Sequence, residues 1–199
     1  MKITKRLIIN AIGSLIMGFG ISLLLAISRG TDTITLFFLG IQQHIAVELW
    51  LLALLFNIAI VCIVYFIDAS KMGIGTFVNF LIVSLSFKIF PPVVMSWHFL
   101  NTDSLLLSIG FVLMAITTFS LGTGLYAASS LGSAALEALS IALAEKTKWS
   151  IQVYRMIFDA SLVLMAIVLG VLPQYATLLS VLLVGPISQR IFLKVREVI

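Results

Sequence analysis

The segment Gly122–Glu137, GTGLYAASSLGSAALE, has an earlier counterpart in Gly18–Thr35, GFGISLLLAISRGTDTIT. At an offset of 102 residues Gly20 meets Gly122, Leu23 meets Leu125, Ala26 meets Ala128, Ser28 meets Ser130 and Gly30 meets Gly132, five identities in eleven positions. Self-similarity at a fixed offset marks an internal duplication, here of a unit of about 100 residues. The fold must be one that such a unit builds twice.

Hydropathy says what the unit is made of. Hydrophobic residues make up 61% of the chain and charged residues 10%, with a mean hydropathy of +1.21. These values lie far outside the usage of soluble domains and specify an integral membrane protein. A spanning helix needs about 20 apolar residues, so 199 residues hold about six spans and leave no soluble domain over. The expected fold is an all-α polytopic membrane helix bundle forming one domain over residues 1–199. Its first repeat covers about residues 1–101 and its second about 102–199.

The first span is read over Leu7–Ser28, behind Lys2, Lys5 and Arg6. Its apolar run is longer than a signal-peptide core, and its small-residue pattern recurs in the fourth span, so it reads as a retained helix. Gly18, Ser22 and Ala26, like Ser120, Gly124 and Ala128, fall on one face at a spacing of four, a pattern that lets helices pack closely. The second and third spans are expected over Val47–Ile67 and Gly75–Phe90, with Pro91-Pro92 stopping the third helix. The fifth and sixth are expected over Trp149–Leu172 and Tyr175–Phe192, with Gly185-Pro186 bending or breaking the sixth. In this part of the repeat the offset is 101, pairing Thr76 with Thr177 and Ser84 with Gly185.

Two segments are too short to span with ease, Thr31–Ile45 and Ser133–Glu145, one after each repeated glycine. Apolar runs of that length are interfacial, re-entrant or buried. Thr31, Asp32, Thr33 and Ser133 are N-cap residue types, so each segment reads as a fresh, broken helix. Three spans per repeat is an odd number, which makes the second copy enter the membrane from the opposite side. The halves are therefore inverted repeats, an arrangement met in secondary transporters, with the site at the repeat interface near mid-bilayer. With both termini inside, ten of the twelve Lys and Arg residues are cytoplasmic and only Arg29 and Lys88 are outside. That basic rim accounts for the pI of about 9.4 without nucleic acid.

Candidate binding residues follow from this geometry. Asp159 falls near the centre of the fifth span, where an ionised carboxylate needs a partner or a wet path, and Arg155, with Gln152, shares its helix face. Glu137 lies near the start of the second short helix, suited either to the helix dipole or to binding a cationic group or a coupling proton. A cavity is expected between the short helices and the first and fourth spans, lined by Ser28, Gly30, Thr31, Ser130, Gly132 and Ser133. Asn57 and Asn79 read either as further contributors or as hydrogen-bond glue between helices; Asn57 is the repeat partner of Asp159. Cys62 reads as a packing residue.

The repeated A-x-S-x-G pattern before a short helix, GIGT at Gly73–Thr76 and the Gly-Pro of VLLVGPISQRIF are similar to the YczE/YyaS/YitT group of bacterial multi-pass membrane proteins, nearest to YczE. The group usually carries Gly-Pro and an acidic residue after the glycines. Here those positions read Asp32-Thr33-Ile34-Thr35 and Ala134-Ala135-Leu136-Glu137. The resemblance implies a bacterial inner-membrane protein and a transporter. No HExxH, CxxC, GxSxG or P-loop pattern occurs, so neither an enzyme nor a cofactor or metal site is expected. Three functions remain at this point: a transporter of a small solute, a substrate-binding membrane subunit of a multi-protein importer, and a non-transporting accessory protein. A homodimer or a partner subunit fits any of them.

Overall fold

Eight α-helices account for most of residues 2–198, the part of the chain that the computed structural model describes. In chain order they are α1 (Ile3–Ile27), α2 (Thr33–Gln42), α3 (Leu49–Asp68), α4 (Ile74–Met95), α5 (Leu105–Ala128), α6 (Ala135–Lys146), α7 (Ile151–Val168) and α8 (Tyr175–Val198). Six of them, all but α2 and α6, are long and apolar enough to cross a membrane. They are apolar nearly all round, as helices bounded by lipid or by each other must be. Several of their internal hydroxyls turn back on their own backbone, as Ser14, Ser22, Ser86 and Ser120 each do by donating to the carbonyl four residues earlier.

The helices form a row, α4–α1–α5–α8, with α1 against α5 as its most extensive contact. That contact is close because a Cβ at Gly20 would collide with the backbone of Phe119, and one at Gly122 with the backbone of Met17. Both pairs are related by 102 residues. The short helices cross between repeats: α2 packs chiefly on α7, and α6 on α3. Each half therefore holds a piece of the other, and the protein is a polytopic helical bundle of two inverted repeats, each with a short broken helix.

The repeat extends to the backbone. Ser28 and Ser130 adopt left-handed conformations, φ 56° and 51°, and Gly30 and Gly132 have φ 105° and 127°. The chain leaves α1 and α5 through the same turn. It is then held from the other half: Ala176 N–H donates to Arg29 O at 3.2 Å, and Gly75 N–H donates to Leu131 O at 2.9 Å. The ends of the short helices are tied in the same corresponding way. A ring nitrogen of His44 lies 3.1 Å from Leu169 O, and Lys146 Nζ donates to Ile67 O at 2.6 Å. So α2 returns to the end of the bundle where α7 finishes, and α6 to the opposite end, where α3 finishes.

Some boundaries differ from those expected. Pro91 and Pro92 do not stop α4, which continues to Met95, and α8 runs on through Gly185-Pro186. Membrane helices tolerate proline where neighbouring groups satisfy the freed carbonyls. α7 is shorter than expected, closing at Gly170 with φ 91°. Asp32, whose carboxylate accepts from Thr35 N–H at 3.2 Å, caps α2, whereas α6 starts after Ala134 and not with a Ser133 cap.

Candidate functional site

Ionisable side chains gather where α2, α5, α6 and α7 meet. α7 begins at Ile151, so Asp159 is roughly 12 Å along a helix of roughly 27 Å, near its middle. One carboxylate oxygen accepts from Thr33 Oγ1 at 2.7 Å, and the other pairs with Arg155 Nε at 3.0 Å. Thr33 is the first residue of α2 and is 4% exposed. The Asp159 side chain keeps 19% of its surface. The carboxylate is thus held from two sides, by its own helix and by a helix of the other repeat.

Glu137 adds a second carboxylate from the first turn of α6. Its Oε2 accepts from the phenolic hydroxyl of Tyr126, at 3.0 Å, near the end of α5. Tyr126 is buried. Asp159 is thus paired with a cation, and Glu137 with a neutral hydroxyl. Thr33 and Tyr126 belong to the cluster although their sequence context did not mark them as binding residues. The signal available was their place in the repeat, where their counterparts are the apolar Ala135 and Leu24.

Among the described residues the cluster occurs once. At the corresponding interface of α3 with α6, Arg155 is replaced by the buried Ala53, Asp159 by Asn57 and Thr33 by Ala135. Asn57 bonds Ala53 O in its own helix at 2.8 Å. Asn79 bonds Ser14 Oγ at 2.9 Å and joins α4 to α1.

The loop residues read as a cavity lining stand instead in two packed junctions. A Cβ at Gly30 would lie 2.7 Å from Thr177 Oγ1, and one at Gly132 2.6 Å from Thr76 Oγ1. Thr31 N–H donates to Thr177 Oγ1 at 3.2 Å, and Thr76 Oγ1 donates to Ser133 O at 2.7 Å. Ser28 and Ser130 lie outside the junctions, exposed at the helix ends. Backbone groups freed by breaking the helices are thus bonded by the partner half. On the surface, Phe37, Leu164, Met165, Val168 and Leu169 line an apolar depression.

Spans, broken helices and a mid-span charged cluster define an integral, multi-pass membrane protein. The chain belongs to DUF6198, a family of unknown function whose model matches residues 4–192 and so includes every cluster residue. No curated protein and no solved structure matches it.

Proposed function

We propose that this protein transports a small solute across the bacterial inner membrane, with Thr33, Asp159, Arg155, Glu137 and Tyr126 as its polar site. One observation carries the reading: a carboxylate at mid-span is held by groups from both inverted repeats. Acidic residues at that depth are costly, and they mark substrate or ion pathways when they face a bundle interior. Many hydroxyls in the bundle are spent on their own helices, as those of Ser22, Ser86 and Ser120 are, whereas Thr33 and Tyr126 hydrogen-bond to carboxylates of other helices. The inverted halves supply the symmetry that alternating access uses. The resemblance to the YczE/YyaS/YitT group points the same way, and the excess of Lys and Arg at the end carrying the termini supports a cytoplasmic orientation for that end.

Purified protein screened by thermal shift against amines, amino acids and small carboxylates, then reconstituted for uptake of whichever stabilises it, tests this reading. A solute that stabilises wild type but not Glu137→Gln, and that accumulates in liposomes, supports it. A panel without stabilisation or uptake sinks it.

A further inference from the structure

The two halves are built alike but not packed alike, and the difference falls on one pair of helices in each. α3 lies along α4. Lys88 Nζ is 4.9 Å from the centroid of the Trp50 ring, and Ala53 shares an apolar cluster with Val83 and Phe87. α7 corresponds to α3 and α8 to α4, yet α7 makes next to no contact with α8.

Single positions record the same asymmetry. Ala53 is 1% exposed, whereas its counterpart Arg155 keeps 44% of its side chain exposed. Ser84 is buried at 1%, whereas its counterpart Gly185 is exposed, and a Cβ added there would meet nothing within 4 Å. The residues corresponding to Trp50 and Lys88 are Gln152 and Gln189, both exposed and each carrying an amide that can donate to and accept from the other. α7 and α8 are thus apart where α3 and α4 are together, and Arg155 keeps an exposed side chain where its counterpart Ala53 is buried.

We propose that α7 and α8 form a gate over the charged cluster, closed in a second state by Gln152 meeting Gln189 while α3 parts from α4 and the Lys88–Trp50 contact breaks. The inference rests on the transport reading, which needs a site open to each side in turn. Its physical basis is the repeat itself: two units of one backbone design can exchange packing arrangements, and the exchange turns the bundle inside out. The open pair has Gln152 at the start of α7, on the side assigned to the cytoplasm, and the closed pair has Trp50 at the start of α3, on the opposite side. The structure is accordingly the cytoplasm-facing state.

The test uses full-length protein in liposomes with Cys62→Ser, which removes the exposed native thiol. Spin labels on Met156→Cys and Gly185→Cys, about one turn from Gln152 and Gln189 along each helix, leave the closing amides in place and report the α7–α8 distance, with and without Lys88→Ala. Losing an exposed cation–π contact, worth about 0.5–1 kcal/mol, should enrich the short-distance population about two- to fivefold. The pair Val153→Cys and Arg190→Cys, both exposed, repeats the measurement should labels at the first pair disturb the fold. An α7–α8 distance that Lys88→Ala leaves unchanged at both pairs overturns the gate. Uptake by the same liposomes is scored separately. A distance change without uptake keeps the gate and removes transport, and uptake with a fixed distance removes the gate and keeps transport.

Discussion

Asp159, half-way along α7, accepts a hydrogen bond at 2.7 Å from Thr33, the first residue of α2 and 126 residues earlier in the chain. The bond joins the second repeat to the broken helix of the first. It also uses an oxygen that the Arg155 ion pair leaves free.

That relationship predicts coupling. Thr33→Val and Asp159→Asn should each destabilise the protein, and together by less than the sum of the two. The coupling should be on the order of 0.5–2 kcal/mol, as for hydrogen bonds between membrane helices. Unfolding in graded detergent measures it; additive effects would mean that the two side chains do not interact in the bilayer.

The junction glycines should tolerate little. Gly30→Ala and Gly132→Ala place a Cβ on positive-φ backbone and against a threonine hydroxyl, so each should cost about 1–3 kcal/mol. Gly110 lies in the second turn of α5 with nothing within 4 Å of an added Cβ, and Gly110→Ala should be neutral or stabilising by about 0.5–1 kcal/mol. The order of melting temperatures among the three variants checks this.

Arg6 closes the end of α5, donating to Ser129 O from Nε and to Ser130 O from Nη2, each at 2.7 Å. Arg6→Gln should cost about 1–2 kcal/mol, and Arg6→Lys should recover only part of it, since an ammonium cannot span both carbonyls as a guanidinium does. Equal stability of Lys and Arg variants would contradict the bidentate cap.

Much of this architecture is legible in the sequence because its cause is local. Apolar runs of span length give the six long helices, and A-x-S-x-G gives the left-handed turn after α1 and α5, since that turn needs glycine where φ is positive. The two prolines of α4 mislead because the rule that proline ends a helix belongs to water. Read as cavity lining, Gly30, Thr31, Gly132 and Ser133 instead pack on Thr177 and Thr76, a fact set by the other half of the chain and not by their neighbours. The Arg155–Asp159 pair could be read from a spacing of four, whereas Thr33 and Tyr126 meet their carboxylates only through tertiary contacts that no local pattern encodes.

The short helices should each return to the side from which they entered. His44 lies by the end of α7, and Lys146 by the end of α3, so reporter fusions after residues 45 and 146 should report opposite sides of the membrane. Both reporters on one side would contradict the inverted repeat.

Gradient-driven uptake by Asp159→Asn tests the central claim most directly, because the substitution keeps the side-chain volume and removes the charge. The solute is the one that stabilises the wild-type protein, and circular dichroism and detergent unfolding confirm that the variant is folded. The account predicts a folded variant that still binds solute but loses at least about tenfold of wild-type accumulation, a barrier change of roughly 1.4 kcal/mol. A folded Asp159→Asn protein that accumulates solute as wild type does would contradict it.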